Sequence, residues 1–232
     1  MAPRPLKTLK RQCEVFAIGP FSMWREPKLA VLVAGAIAAW SCVEARVSTL
    51  VIMIMGAEAK AAIAMLSALT SFQAQSAAIR AVISTKIPKE QHDVFDVVLL
   101  ELRKTAKRRH KLAHWLWGAS PNLPGHMLLG DPEVYLQMEV SKHLIFQKDP
   151  ERKLNKFVAP YDGIWVYGEK DLRDLLTDIE AVDRLLSSLL ALASKHPTSA
   201  DILRQLSAEP RLQIALGKRQ GNPSKSAVPP PQ

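Results

Sequence analysis

The chain has 232 residues, of which 48% are hydrophobic and 23% charged, with a mean hydropathy of +0.00, which places it in the globular range and excludes wholesale disorder. Aromatic residues make up 6%, and 10 Gly with 16 Pro leave few turn formers, which suits a single helical domain better than a sandwich or barrel. The net charge of +9 would suggest a polyanion partner, yet it belongs to the ends: six Lys/Arg against two acids in residues 1 to 28, four against none in 211 to 232, and 21 against 20 between them.

Residues 1–25 contain basic residues but no sustained apolar run or small-residue cleavage site, and are expected to form a mobile basic arm rather than a secretory leader. Pro27 suits a first helical turn, and Leu29 to Met55 is apolar nearly all round before Gly56. Its first 15 residues, Leu29 to Val43, are uncharged. At ~1.5 Å per residue they cover roughly 22 Å, short of a ~30 Å hydrocarbon core, and Glu44 and Arg46 then interrupt them. The segment is read as a buried core helix, with membrane anchoring through residues 29–55 as the alternative. Residues 57 to 84 are Ala-rich and helix-forming, and Thr70 or Ser71 could cap a break into two helices.

Pro88 opens the clearest helix, with Phe95, Val98, Leu99, Leu102, Ala106, Ala113 and Leu116 on one face and Gly118 and Pro121 closing it. The period then changes. Val134, Leu136, Met138 and Val140 alternate with Tyr135, Gln137 and Glu139, which predicts a strand, and Gly163 to Gly168 predicts a second. Helical spacing returns from Glu169 to Ser194, and a last short helix is expected within Ala200 to Leu216. The expected fold is therefore mainly α: a four- to five-helix bundle over residues 26–216, with a small β-hairpin or sheet insert at about 126–167 after the long helix. Residues 217–232, ending in a Pro-Pro-Pro run, are expected to be disordered. Cys13 and Cys42 show neither CxxC nor Cys/His spacing, so no disulfide scaffold or zinc site is indicated and a reducing cytoplasm is the expected home.

On the helix from Pro88, counted at 100° per residue, Arg109 falls on the apolar face, whereas Lys104, Lys107, Arg108 and Lys111 fall on the solvent side. A buried guanidinium needs a carboxylate or a cleft, and Glu44 is the obvious candidate partner; a purely structural Glu44–Arg109 ion pair is one reading. His110 and His114 lie one turn apart on the same flank. Two His at i and i+4 can chelate a metal, but no third ligand follows in the helical metalloprotease pattern, and nothing in the spacing of His126, His143 or His196 completes a site. Six basic residues crowd positions 103 to 111, and Trp115 and Trp117 follow. Phosphate contact by Lys107, Arg108 and Lys111 and base stacking by Trp117 are the functional reading; a solvated face and packing tryptophans are the structural one.

Arg109-His110-Lys111-Leu112-Ala113-His114, an R-x4-H motif near the end of a long helix and followed by Trp-Leu-Trp-Gly, resembles the signature of the HEPN superfamily (higher eukaryotes and prokaryotes nucleotide-binding). The resemblance covers about Lys89 to Gly118. It implies an all-α bundle, often dimeric, with many members acting as metal-independent endoribonucleases without a cofactor. The motif Arg would be Arg109 and the motif His His114, with Glu44 and His110 in support. His114 would move the proton of the ribose 2′-OH or of the leaving oxygen, Arg109 would stabilise the phosphate, and a cyclic phosphate would be the product. The position after the motif Arg, commonly Asn in the family, is His110 here, and Trp115 stands where a small residue often follows the motif His. RNA is the implied substrate and a second copy of the chain the implied partner, with an antitoxin-like protein partner left open. A noncatalytic binding or dimerisation module on the same fold is the alternative function.

Overall fold

The computed structural model describes residues 3–9, 16–19, 21–56, 58–69, 72–148, 163–194 and 199–214. The fold is mainly α with a small antiparallel sheet, as the apolar periodicity predicts. The chain divides into two compact units, Met1–Trp40 with Ala106–Ile179 and Ser41–Thr105 with Glu180–Gln232. Three long helices contribute residues to both: α2 (Pro27–Met55), α5 (Lys89–His114) and α7 (Glu169–Ala193).

Most buried residues of these helices lie along one face: on α2 Leu29, Val33, Ala36, Trp40, Val43, Leu50 and Ile54, with Val51 beside them; on α5 Phe95, Val98, Leu102, Thr105 and Leu112, flanked by Val94, Val97 and Leu99; on α7 Leu172, Leu175, Ile179, Val182, Leu186 and Leu189, flanked by Ala181, Leu185 and Leu192. The steps along each face are three, four or seven residues, which returns the chain to the same side of a helix. By length and composition α2 could cross a membrane. Its Arg46, which breaks the apolar run, is held bidentately by Asp183 of α7, with Nε–Oδ1 at 2.7 Å and Nη2–Oδ2 at 3.1 Å, inside the second unit. The Ala-rich stretch forms two helices, α3 (Ala59–Ala68) and α4 (Phe72–Lys86); positions 70 and 71, where a cap was expected, lie outside the described residues. The second unit is completed by α8 (Ser199–Ala208). Residues 217–232, expected to be disordered, also lie outside the described residues.

The first unit is built on a five-stranded sheet in the order β1-β5-β4-β3-β2, antiparallel throughout. The strands are β1 (Arg4–Pro5), β2 (Phe16–Ile18), β3 (Leu116–Ala119), β4 (His126–Gly130) and β5 (Ile164–Gly168). β3 and β4 form a hairpin in which Trp117 faces Leu129, and β5 pairs along β4 from His126↔Gly168 to Gly130↔Ile164. Residues 4–25, expected to be a mobile arm, instead supply both edge strands and the short helix α1 (Phe21–Arg25). Pro5 fits an edge because it has no N–H to give to a further strand. Leu6, Leu128, Ile164 and Val166 close a small core over the sheet.

The strand predicted around Val134 to Val140 is instead a helix, α6 (Pro132–Lys148). Asp131 accepts the Glu133 N–H on Oδ1 at 3.0 Å, and Pro132 follows it, so the start carries both a side-chain cap and a ring preset to helical φ. Those start signals outweigh the alternation. Leu136, Val140 and Leu144, four residues apart, form an exposed stripe of that helix.

Candidate functional site

The last two turns of α5 and the strand after them carry the site, all within the first unit. His110 and His114, at i and i+4, have ring centroids 4.4 Å apart at 41°, and both are exposed. Burial of the ring, the neighbouring His114 and the Arg109 guanidinium, in that order, hold His110 below the ordinary imidazole pKa. These influences favour the neutral form of His110, the form that can accept a proton.

Arg109 is half-buried, on the inward face between Thr105 and Leu112, and its Nε is buried without a hydrogen-bond partner. Glu44, expected to be its buried partner, is exposed on α2. Arg109 thus presents a partly desolvated guanidinium with donor capacity unspent, a costly arrangement unless an anion visits it.

The neighbouring residues expected to touch RNA divide. Lys107 is exposed. Arg108 is bound through Nη1 to Asp178 Oδ2 on α7, so part of the basic run is neutralised inside the fold. Lys111 Nζ sits 4.5 Å from the Trp115 ring centre and 4.7 Å from that of Trp165, between two aromatic faces. Trp117 is half-buried and its Nε1 donates to the Leu112 carbonyl at 3.2 Å, which ties β3 to the last turn of α5. Both tryptophans after the motif thus hold the helix end, and Trp165, which no helical pattern could connect to Lys111, arrives on β5. Tyr167, on the same strand, is buried, and burial pushes its hydroxyl up to about 12 against the opposing pull of Arg108.

Among the described residues no group of three or more His, Cys, Asp or Glu is arranged to hold a metal ion. The site therefore offers a pair of imidazoles for proton transfer and a guanidinium for an anion. Comparison with family models, with curated proteins and with solved structures finds no match.

Proposed function

We propose that the chain is a metal-independent endoribonuclease of the HEPN type, with His110 and His114 as the acid–base pair and Arg109 as the phosphate-binding cation. The observation that supports this most is the exposed imidazole pair at 4.4 Å beside a guanidinium with a buried, unpartnered Nε. Ribonucleolysis without a metal needs a base for the 2′-OH, an acid for the leaving oxygen and positive charge for the phosphorane, and these three residues supply one of each.

In the reaction, neutral His110 takes the proton from the ribose 2′-OH while the 2′-oxygen forms a bond to phosphorus. The bond from phosphorus to the 5′-oxygen breaks, and that oxygen leaves with a proton from His114. The products are a 2′,3′-cyclic phosphate and a 5′-hydroxyl, and exchange with water restores both histidines. Arg109 donates to the non-bridging oxygens, where charge grows. Arg109 lies 140° from His114 on an ideal helix, so the two meet one phosphate through the length of Arg109 or across a second copy of the chain. Lys107 adds a nearby cation for the flanking strand.

The pH–rate profile tests the assignment. With His110 as base, cleavage falls on the acid side below the ordinary imidazole range, and His110→Ala loses as much activity as His114→Ala. His110→Asn, the residue common in the resembled family, retaining full activity would remove His110 from the chemistry. Arg109→Lys keeps the charge but loses the planar fork of donors, and most activity is expected to go with it.

A further inference from the structure

Phe21 and Trp24 on α1 are 62% and 72% exposed, and their rings meet edge to face with centroids 5.0 Å apart at 84°. The proposed chemistry uses neither. Two large aromatic rings left in water on one short helix mark a binding surface more often than an accident of packing. The helix is held from beneath: Ser22 is fully buried, with its N–H and Oγ both donating to the Gly19 carbonyl at 3.1 and 2.7 Å, and Gly19 N–H donates to the Trp117 carbonyl at 2.8 Å. The rings are therefore presented by a fixed support.

Arg25 and Lys28 beside them are exposed. Glu26, the one acid from Phe21 to Val31, is drawn to the loop before β4, where its Oε1 accepts the Gly125 N–H at 2.8 Å. Along the stretch from Phe21 to Val31 the two cations thus face solvent while the one acid is engaged. The Gly19–Trp117 hydrogen bond also limits how far this patch lies from the candidate site. Three Cα-to-Cα steps lead from Trp117 to His114 and two from Gly19 to Phe21, so the Cα atoms of Phe21 and His114 are no more than about 25 Å apart. A strand of a few nucleotides spans that distance.

We propose that Phe21 and Trp24 form a stacking platform for an unpaired base of a single-stranded RNA whose phosphates pass Arg25 and Lys28 on the way to His110 and His114. The direction of the strand rests on the nuclease reading; the platform itself does not. Every base has a π face, so such a platform takes single strands with little sequence preference and excludes duplexes, whose bases are stacked already. The occupant is argued to be a nucleic acid strand because its phosphates complement the exposed Arg25 and Lys28 beside two stacking rings; since α1 leads within two residues into the apolar α2, a bilayer is the outcome that the vesicle measurement below tests against.

The test uses the full chain and a fluorescein-labelled 12-nucleotide RNA carrying 2′-O-methyl groups throughout, which cannot be cleaved by 2′-OH attack, with binding read by anisotropy. Trp24→Ala is expected to weaken binding about 5- to 150-fold, Trp24→Phe to restore most of it, and Lys60→Ala, an exposed cation on α3 outside the platform and the site, to leave it near wild type. A melting curve shows that each variant is folded. A duplex of the same sequence is expected to compete poorly. Unchanged affinity in folded Trp24→Ala, or no binding by the wild type, overturns the platform; cleavage of unmodified RNA measured alongside then shows separately whether the nuclease reading survives. Trp24-dependent sedimentation with phosphatidylserine vesicles, without Trp24-dependent binding of the oligonucleotide, overturns it in favour of a bilayer.

Discussion

Replacing Gly163 by alanine probes the joint between β5 and α6, the element whose sequence pattern is most misleading. Gly163 has φ +85°, and a Cβ built on it would lie 2.8 Å from Val134 Cγ2 and 3.3 Å from Val134 Cβ. Its carbonyl also accepts the Asp131 N–H at 3.0 Å, which fixes the entry of α6. Two costs therefore add. A left-handed conformation costs a residue with a Cβ roughly 1 to 2 kcal/mol, and forcing a methyl against a packed neighbour costs roughly 1 to 3 kcal/mol, so the expected loss is about 2 to 5 kcal/mol. Gly125 is the control: its φ is +72° and nothing lies within 4 Å of its hypothetical Cβ, so Gly125→Ala is expected to lose only the conformational part, about 1 to 2 kcal/mol. Urea denaturation of both variants gives the difference. Val134→Ala in the Gly163→Ala background is expected to recover stability, a coupling on the order of 0.5 to 3 kcal/mol. Equal losses at the two glycines, with no coupling to Val134, would refute the placement of Val134 at the first turn of a helix.

Arg109→Met removes a partly desolvated donor group that the fold does not satisfy, so stability by urea denaturation is expected to equal wild type or exceed it by up to about 1 kcal/mol while cleavage is lost; a loss of about 3 to 5 kcal/mol would show that Arg109 is a buried ion-pair partner after all. His110, with its folded pKa below the ordinary value, contributes stability that is present above the unfolded imidazole pKa and lost as pH falls through the folded one, and its proton NMR titration is expected to move up toward the ordinary value in His114→Ala; an unmoved midpoint would deny the coupling. With α2 read as a bundle helix, the chain is expected in the soluble fraction without detergent, and quantitative recovery in an alkaline-washed membrane pellet would force the anchored reading instead.

The three long helices are legible because apolar residues recur along them for 25 or more positions, and α7 begins at Glu169 where the spacing places it. The β3–β4 hairpin is not legible, because Met127, Leu128 and Leu129 are all buried and a strand covered on both faces has no alternation to show. β1 and β2 are two and three residues long, inside a stretch whose basic composition reads as a tail. At the candidate site, the motif and the shared flank of His110 and His114 could be read from spacing alone. The phase of the helix could be read only in part: a count of 100° per residue puts Ala113 in the core, yet Ala113 is exposed and Leu112 buried. The partner of Lys111 was beyond reach, since Trp165 lies 54 positions away and only the fold brings it there.

The most direct measurement is the incubation of purified protein with mixed RNA in EDTA, with the ends of any fragments mapped and wild type compared with His114→Ala. The account predicts fragments ending in 2′,3′-cyclic phosphate and beginning with 5′-hydroxyl, a rate at least ~100-fold lower for a folded His114→Ala, and no cleavage of 2′-O-methylated RNA. Wild-type protein that binds RNA yet leaves it intact across a wide pH range, or cleavage indifferent to His114→Ala, would contradict it and make the chain a binding module.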